Sequence, residues 1–340
     1  MQMDDNQSMP TVARVEIHPS QFPAAVHRDL LESLRTRRVN HKFHYDSAKQ
    51  TLKWLALHQT HSPSRNDSDC AATYDRAFAA AVERIKARQI HVVGLGCGGG
   101  QKDARLLAQL RAQGSQVSYT PSDVSVAMVL VAREAALPVV GDENCSPLVC
   151  DLVTTEDLPA TLSTHHAPRT TRLVTFFGMI PNFEPDDILP KLASLVRPED
   201  WLLFSANLAP GADYAAGVQK ILPQYDNEQT RDWLITFLLD LGVEHKDGDL
   251  RFGIEEIGGL KRVVARFHFA RPRTIQVESE KSDFQPGEAI QLFFSYRYTP
   301  ERVRLALAGH GLDVCAQWMT KSEEEGVFLC RRGGGPVGRR

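Results

Sequence analysis

Apolar positions recur along this chain with two periods, and the changes of period mark its organisation. Phe22, Val26, Leu30, Leu31 and Leu34 fall on one face of a helix predicted over residues 22–38. HKFHYDSAKQTLKWLALHQTHSPSR, residues 41–65, is rich in histidine and aromatics and ends in a Ser/Pro loop. AATYDRAFAAAVERIKAR, residues 71–88, reads as a helix. Short apolar runs and helical periods then alternate. QIHVVGLG, QVSYTPSD, SPLVCDL, RLVTFFGM and DWLLFSANL read as strands, and KDARLLAQLRAQG, VSVAMVLVAREAAL and EPDDILPKLASLV as helices. Such alternation predicts a parallel sheet with helices on both faces, an α/β fold.

The texture changes near residue 210. A helix is predicted over 228–241, followed by β-rich, antiparallel segments LKRVVARFHFA, TIQVESEKSDF and IQLFFSYRY. TPERVRLALAGHG carries the signals of a helix, with Thr299 as N-cap, Pro300 in the first turn and Gly309 or Gly311 at its end. CAQWMT and EGVFLCRR read as two last strands; residues 1–20 and GGGPVGRR read as mobile ends. No internal repeat is visible.

Composition narrows the function classes. The 340 residues are 42% hydrophobic and 24% charged, with a net charge of -3. That is ordinary globular composition, without the basic excess of a nucleic-acid binder. The first residues, MQMDDNQSMPTVARVEIHPSQF, lack the apolar core of a signal peptide, and no run approaches a membrane span. None of the six cysteines makes a CxxC pair, so reduced thiols in a cytoplasm are expected. His165 and His166 read as loop, and Cys145 and Cys150 lack a companion pair at zinc spacing, so no metal is expected.

The candidate chemistry begins at HVVGLGCGGGQKDARLL. Five glycines lie between Gly94 and Gly100, where a strand turns into a helix. Flexible residues there let a ligand approach bare backbone, at an entropic cost. Cys97 sits among them, close to a helix N-terminus, where a thiol can become acidic. Gly94, Gly96 and Gly99 fit the bare dinucleotide spacing. Asp123, at the tip of the next strand, is placed to accept hydrogen bonds from a ribose diol, which NAD and S-adenosylmethionine both present. Asp151 ends a further strand, where it would receive an adenine amino group, and this suits S-adenosylmethionine better. Each carboxylate also reads as a helix cap or a solvated loop residue, so these residues alone leave both cofactors open.

Over residues 40 to 330 the chain resembles the histidine-specific N-alpha-methyltransferases of ergothioneine biosynthesis and related fungal tryptophan-derivative methyltransferases. KFHYDSAKQTLKWL followed by HSPSR resembles that family's FYD…LF…YPTR segment, and LGCGGGQK its LGSGTSEK loop. YTPSDVS, GMIPNF, LPQYDNEQTRDWL and PGEAIQLFFSYRY resemble further family segments in the same order. The resemblance implies a Rossmann-like S-adenosylmethionine-dependent methyltransferase sheet with a second, smaller α+β substrate domain. It divides the chain into residues 21–70 (substrate domain), 71–208 (cofactor domain), 209–298 (substrate-domain insertion) and 299–332 (return to the methyltransferase domain), between mobile ends 1–20 and 333–340.

The resemblance makes Gly96, Cys97, Gly98, Lys102, Asp123, Asp151 and Leu152 cofactor residues. It places Asn182 and Tyr225 on the carboxylate of an amino acid, with His61 or Ser62 beside its side chain. It makes Ser295 and Tyr45 candidates for the chemistry, and His44, His58 and His61 possible bases. The departures are as informative. Phe293 stands where the family has an amine-binding Glu, Pro181 replaces a glycine, and Asn207 stands in place of an Asp. A phenyl ring accepts no such hydrogen bond, although its face attracts cations. The expectation is a cytoplasmic, monomeric enzyme methylating a small amino-acid-like substrate other than histidine, with no nucleic-acid or membrane partner. Histidine is the first alternative, a non-catalytic cofactor-binding partner or sensor the second, and a dinucleotide reductase the third.

Overall fold

Gln89–Leu95 buries six of its seven residues and forms the middle of a large sheet in a computed structural model, which describes residues 12–163 and 170–333. The strands of that sheet are β1 (Glu16–Ile17), β2 (Gln89–Leu95), β3 (Gln116–Asp123), β4 (Leu148–Val149), β5 (Thr171–Phe177), β6 (Trp201–Asn207), β12 (Leu312–Met319) and β13 (Glu325–Arg332). Their order is β1-β4-β3-β2-β5-β6-β13-β12. All pairs are parallel from β1 to β6; β13 is antiparallel to both β6 and β12. The chain winds outward in one direction from β2 and in the other from β5. Such a switch point opens a crevice beyond the carboxyl ends of the strands, where ligands of doubly wound sheets bind.

Helices cover both faces, and buried side chains form a core on each. One core holds Val93, Val174, Phe176, Leu192, Phe204 and Phe328; the other holds Tyr74, Phe78, Leu106, Leu110, Leu173 and Leu203. The covering helices are α4 (Ser68–Arg84), α5 (Gln101–Ala112), α6 (Val126–Val140), α7 (Leu158–Ser163), α8 (Pro185–Leu195) and α11 (Pro300–Ala308). Asp67 caps α4 by accepting from the amides of Asp69 and Cys70, so this helix begins and ends earlier than the pattern at 71–88 predicts.

Between β6 and α11 lie α9 (Tyr214–Tyr225), α10 (Glu228–Asp240), a three-stranded antiparallel sheet in the order β11-β8-β7, and a β9–β10 hairpin. The strands are β7 (Gly248–Ile257), β8 (Leu260–Phe269), β9 (Arg273–Val277), β10 (Glu280–Phe284) and β11 (Ala289–Arg297). A third core lies here. Leu34 of α1 (Pro23–Thr36) and Phe43 of a 3-10 turn (His41–His44) join Trp233, Phe237, Phe267, Ile290 and Leu292 in it. Two further helices, α2 (Ala48–His61) and α3 (Pro63–Asn66), lead back to α4.

Several elements differ from the pattern reading. TIQVESEKSDF, read as β-rich, is by itself an antiparallel hairpin. Its turn falls at Glu278, whose φ of 53° is unusual for a non-glycine residue. SPLVCDL contributes two strand residues only. Helix α9 went unpredicted because Gly217 and Pro223 interrupt its pattern. Within the first twenty residues, Glu16 donates to the Pro147 carbonyl and His18 to that of Val149, so this stretch adds an edge strand. His165, His166 and most of the C-terminal GGGPVGRR lie outside the described residues. No described helix is long and apolar enough to cross a membrane.

Candidate active site

The crevice at the switch point widens into a cavity of about 470 Å³, with α2, α9, α10 and β11 forming its other walls. The glycine loop makes its floor. Gly96, Gly98 and Gly100 all have positive φ, and a Cβ at Gly98 would stand 3.0 Å from the Trp54 ring. One at Gly96 would stand 2.8 Å from Met179. The loop is tied to β3: Cys97 donates to the Ser122 carbonyl at 3.0 Å and Gly98 to Asp123 Oδ2 at 3.2 Å.

Asp123 therefore sits at the strand tip against the loop. Its other oxygen accepts from the Ser125 amide at 3.1 Å. Burial raises this carboxyl to about 6, although the amides of Gly98, Ser125 and Val124 favour its charged form. A cradle of naked backbone beside a carboxylate has the chemistry to receive an adenosyl cofactor. Cys150 and Leu152 continue the wall. Cys97 lines the cavity, but burial and the carboxylates of Asp123 and Asp103 push its thiol well up. It is not the acidic thiol that its place near a helix N-terminus suggests.

Asp151 does not fit the adenine role expected of it. Its carboxylate turns inward, accepting from the Val153 amide at 2.9 Å and lying 3.5 Å from Lys42 Nζ. Lys42 is buried and also pairs with Asp29 at 2.5 Å, so both carboxylates serve to neutralise a charge removed from water. Leu152, the next residue, is the one that reaches the cavity.

Helix α2 roofs the loop. Thr51 and Ser125 hydroxyls meet at 3.0 Å, and Lys53 pairs with Asp232 at 2.6 Å, fastening the helix to α6 and α10. Trp54 stacks on His58 with ring centroids 4.7 Å apart. Burial, with Lys102 and Arg65 close by, lowers His58 to about 3, and its Nδ1 accepts from Arg65 Nε at 3.2 Å. A neutral ring with one lone pair engaged is a poor base. His61 lies at the exposed rim. His44 is off the cavity: its Nε2 donates to the Leu292 carbonyl at 2.7 Å, and burial lowers it to about 4. Tyr45 lines the cavity, and burial, then the Asp123 carboxylate, raises its phenol, which stays protonated.

The opposite wall carries the residues expected to meet the acceptor. Asn182 donates one amide N–H to the Phe294 carbonyl at 2.9 Å and lines the cavity. The Tyr225 hydroxyl donates to Ser295 Oγ at 2.8 Å and accepts from Arg297 Nη2 at 2.5 Å. Ser295 is buried behind Tyr225 and is not among the cavity-lining residues, which corrects the direct role expected of it. It holds the phenol instead. A bulge in β11 between Gln291 and Phe293 leaves Leu292 in the core and Phe293 on the cavity. Trp54, Tyr45, Trp233, Phe293 and Tyr225 then form a continuous aromatic run, each ring 5.5–6.1 Å from the next.

The sequence reading missed Trp54, Trp233, Met179, Arg297 and Glu325. The two tryptophans stood inside quoted family segments and carried that signal; Glu325 follows two other glutamates and carried none. Among the described residues no cluster of His, Cys, Asp or Glu could hold a metal ion.

Comparison with solved structures finds the CcbJ methyltransferase from Streptomyces caelestis, 14% identical, covering 76% of this chain and 96% of that one, with a TM-score of 0.40. The mitomycin 7-O-methyltransferase MmcR is 14% identical, covering 92% and 70%, with a TM-score of 0.43. A Burkholderia thailandensis 1,6-didemethyltoxoflavin-N1-methyltransferase, seen with S-adenosylhomocysteine, is 12% identical, covering 84% and 88%, with a TM-score of 0.40. No curated protein matches the sequence. The model of the family described as histidine-specific, SAM-dependent methyltransferase matches residues 26–332, and this chain belongs to that family of S-adenosylmethionine-dependent enzymes.

Proposed function

We propose that the enzyme methylates a small amino-acid-like acceptor other than histidine, one with an apolar or aromatic part. The observation that carries this reading is Phe293. It lies on the cavity wall between Tyr225 and Trp233, at the position where the resembling family has a carboxylate for the acceptor amine.

When bound, S-adenosylmethionine would supply an electrophilic methyl group, with its sulfur as the leaving atom. The chain's own work is positioning and exclusion of water. Gly96, Cys97, Gly98, Lys102, Asp123 and Leu152 hold the cofactor. Asn182, through its second amide N–H, and Tyr225, whose hydroxyl proton turns from Ser295 to the ligand, donate hydrogen bonds to the acceptor's carboxylate; both are neutral, so they add no formal charge. Tyr45 remains a hydrogen-bond donor at the acceptor, and the aromatic run receives its apolar part. His61 reaches it from the rim.

Histidine is the second reading, favoured by Asn182 and Tyr225 standing together on the cavity. Calorimetric titration with S-adenosylhomocysteine, followed by a panel of free amino acids, tests both. Binding tightened by an aromatic amino acid and not by histidine supports the proposal. Tightening by histidine alone overturns it, and failure to bind the nucleoside sinks the cofactor reading with it.

A further inference from the structure

One carboxylate facing the cavity beside Lys102 has no part in that scheme. Glu325 opens β13 beside the end of β6, and its side chain is 11% exposed. Its Oε1 accepts from the Tyr74 hydroxyl, and its Oε2 from Cys70 Sγ at 3.3 Å. Lys102 Nζ, on the first turn of α5, donates to the same Tyr74 hydroxyl at 2.8 Å and stands 3.9 Å from Glu325 Oε1. Both side chains line the cavity along with Gly98 and Gly178.

This carboxylate is under-served for its burial. A carboxylate has about four lone-pair sites, and a thiol is a weak donor. At 3.9 Å the lysine lies outside hydrogen-bond range. A buried charge is tolerated when it is paired and hydrogen-bonded. Lys102 likewise places one N–H on Tyr74 and has two more. An anion and a cation a few ångströms apart, with capacity left on both, match a group that carries the opposite charges on one carbon. That group is the α-amino-acid end of a ligand.

We propose that Glu325 and Lys102 form a paired site for the amino-acid end of the cofactor, with Glu325 taking the ammonium and Lys102 the carboxylate. Tyr74, between them, holds the two side chains in place. The inference rests on the cofactor reading above and adds Glu325 to it.

The test uses the full chain and two probes: S-adenosylhomocysteine, which has the amino-acid end, and 5′-methylthioadenosine, which lacks it. Glu325→Gln is expected to weaken S-adenosylhomocysteine about 10- to 100-fold, the range for hydrogen bonds between charged groups, and to leave 5′-methylthioadenosine unchanged. Equal weakening of both probes, or of neither, overturns the proposal. Lys102→Met is the second variant, should the glutamine form not fold. It is expected to lose the preference for S-adenosylhomocysteine over its decarboxylated analogue; a variant that keeps this preference also overturns the pairing. A wild-type protein that binds neither probe removes the cofactor reading itself, a distinct outcome.

Discussion

Trp233 and Phe293 meet nearly edge to face, with ring centroids 6.1 Å apart and planes at 67°. One ring comes from helix α10 and the other from strand β11, so this wall of the cavity is assembled from two elements between β6 and α11. Edge-to-face pairs of this kind contribute about 0.5–1.5 kcal/mol beyond the area they bury. They also fix both rings, and a rigid apolar surface selects an acceptor with a matching part.

Acceptor choice should therefore move with Phe293. Phe293→Glu restores a carboxylate beside the amine and is expected to improve histidine binding about 10-fold while weakening aromatic amino acids. A titration of acceptors onto the S-adenosylhomocysteine complex reads both changes. Unchanged preferences would show that this wall does not touch the acceptor.

Ser295→Ala leaves the Tyr225 hydroxyl without its acceptor. Because Ser295 lies behind the phenol, the expected effect is positional: KM for the acceptor rises about 5-fold, the worth of one ordinary hydrogen bond, with a smaller change in kcat. A kcat loss of 100-fold or more would return Ser295 to a direct role.

Cofactor binding should depend on pH through Asp123. Its carboxyl is raised to about 6, and the ionised form accepts two ribose hydroxyls more strongly than the protonated form, which keeps less acceptor capacity. Affinity for S-adenosylhomocysteine is expected to fall as pH drops through 6, about 10-fold between pH 7 and pH 5. The stability of the protein without cofactor runs the other way. A raised folded-state value stabilises below the ordinary carboxyl range and is lost as pH rises to about 6. Thermal melts with and without the nucleoside at both pH values separate the two effects.

Asp151→Asn tests the inward orientation of that carboxylate. Removing one partner of buried Lys42 is expected to lower stability by about 3 kcal/mol, toward the bottom of the range for broken buried pairs. Affinity for S-adenosylhomocysteine should stay within about 3-fold of wild type, since half a kcal/mol is a usual bound for a distant site. A large affinity loss with unchanged melting would mean that Asp151 meets the adenine after all.

The large sheet was legible because buried parallel strands are short apolar runs bounded by helical periods, as in β2 and β5. The glycine loop and Asp123 were legible because their places in the chain fix their places at the sheet edge. Asp151 shows where this fails: position placed it at a strand end, but the direction of its side chain was set by Lys42, over a hundred residues away. The β9–β10 stretch was legible as β-rich, but its turn was not, because it uses Glu278 rather than Gly or Asn and leaves the segment without punctuation. Glu325 escaped because its partners, Cys70, Tyr74 and Lys102, come from two distant helices.

The bulge at Leu292 makes the lining of the cavity a matter of phase. Along a strand, neighbouring side chains point to opposite faces, so adding or removing one residue exchanges the two sets. Phe293 reaches the cavity and Leu292 the core at the point where the register of β11 against β8 shifts, between Gln291 and Phe293. A single-residue deletion there would alter which side chain lines the cavity while leaving every strand of the large sheet in register. The pocket can thus be retuned by chain length at one point, independently of the machinery that holds the methyl donor.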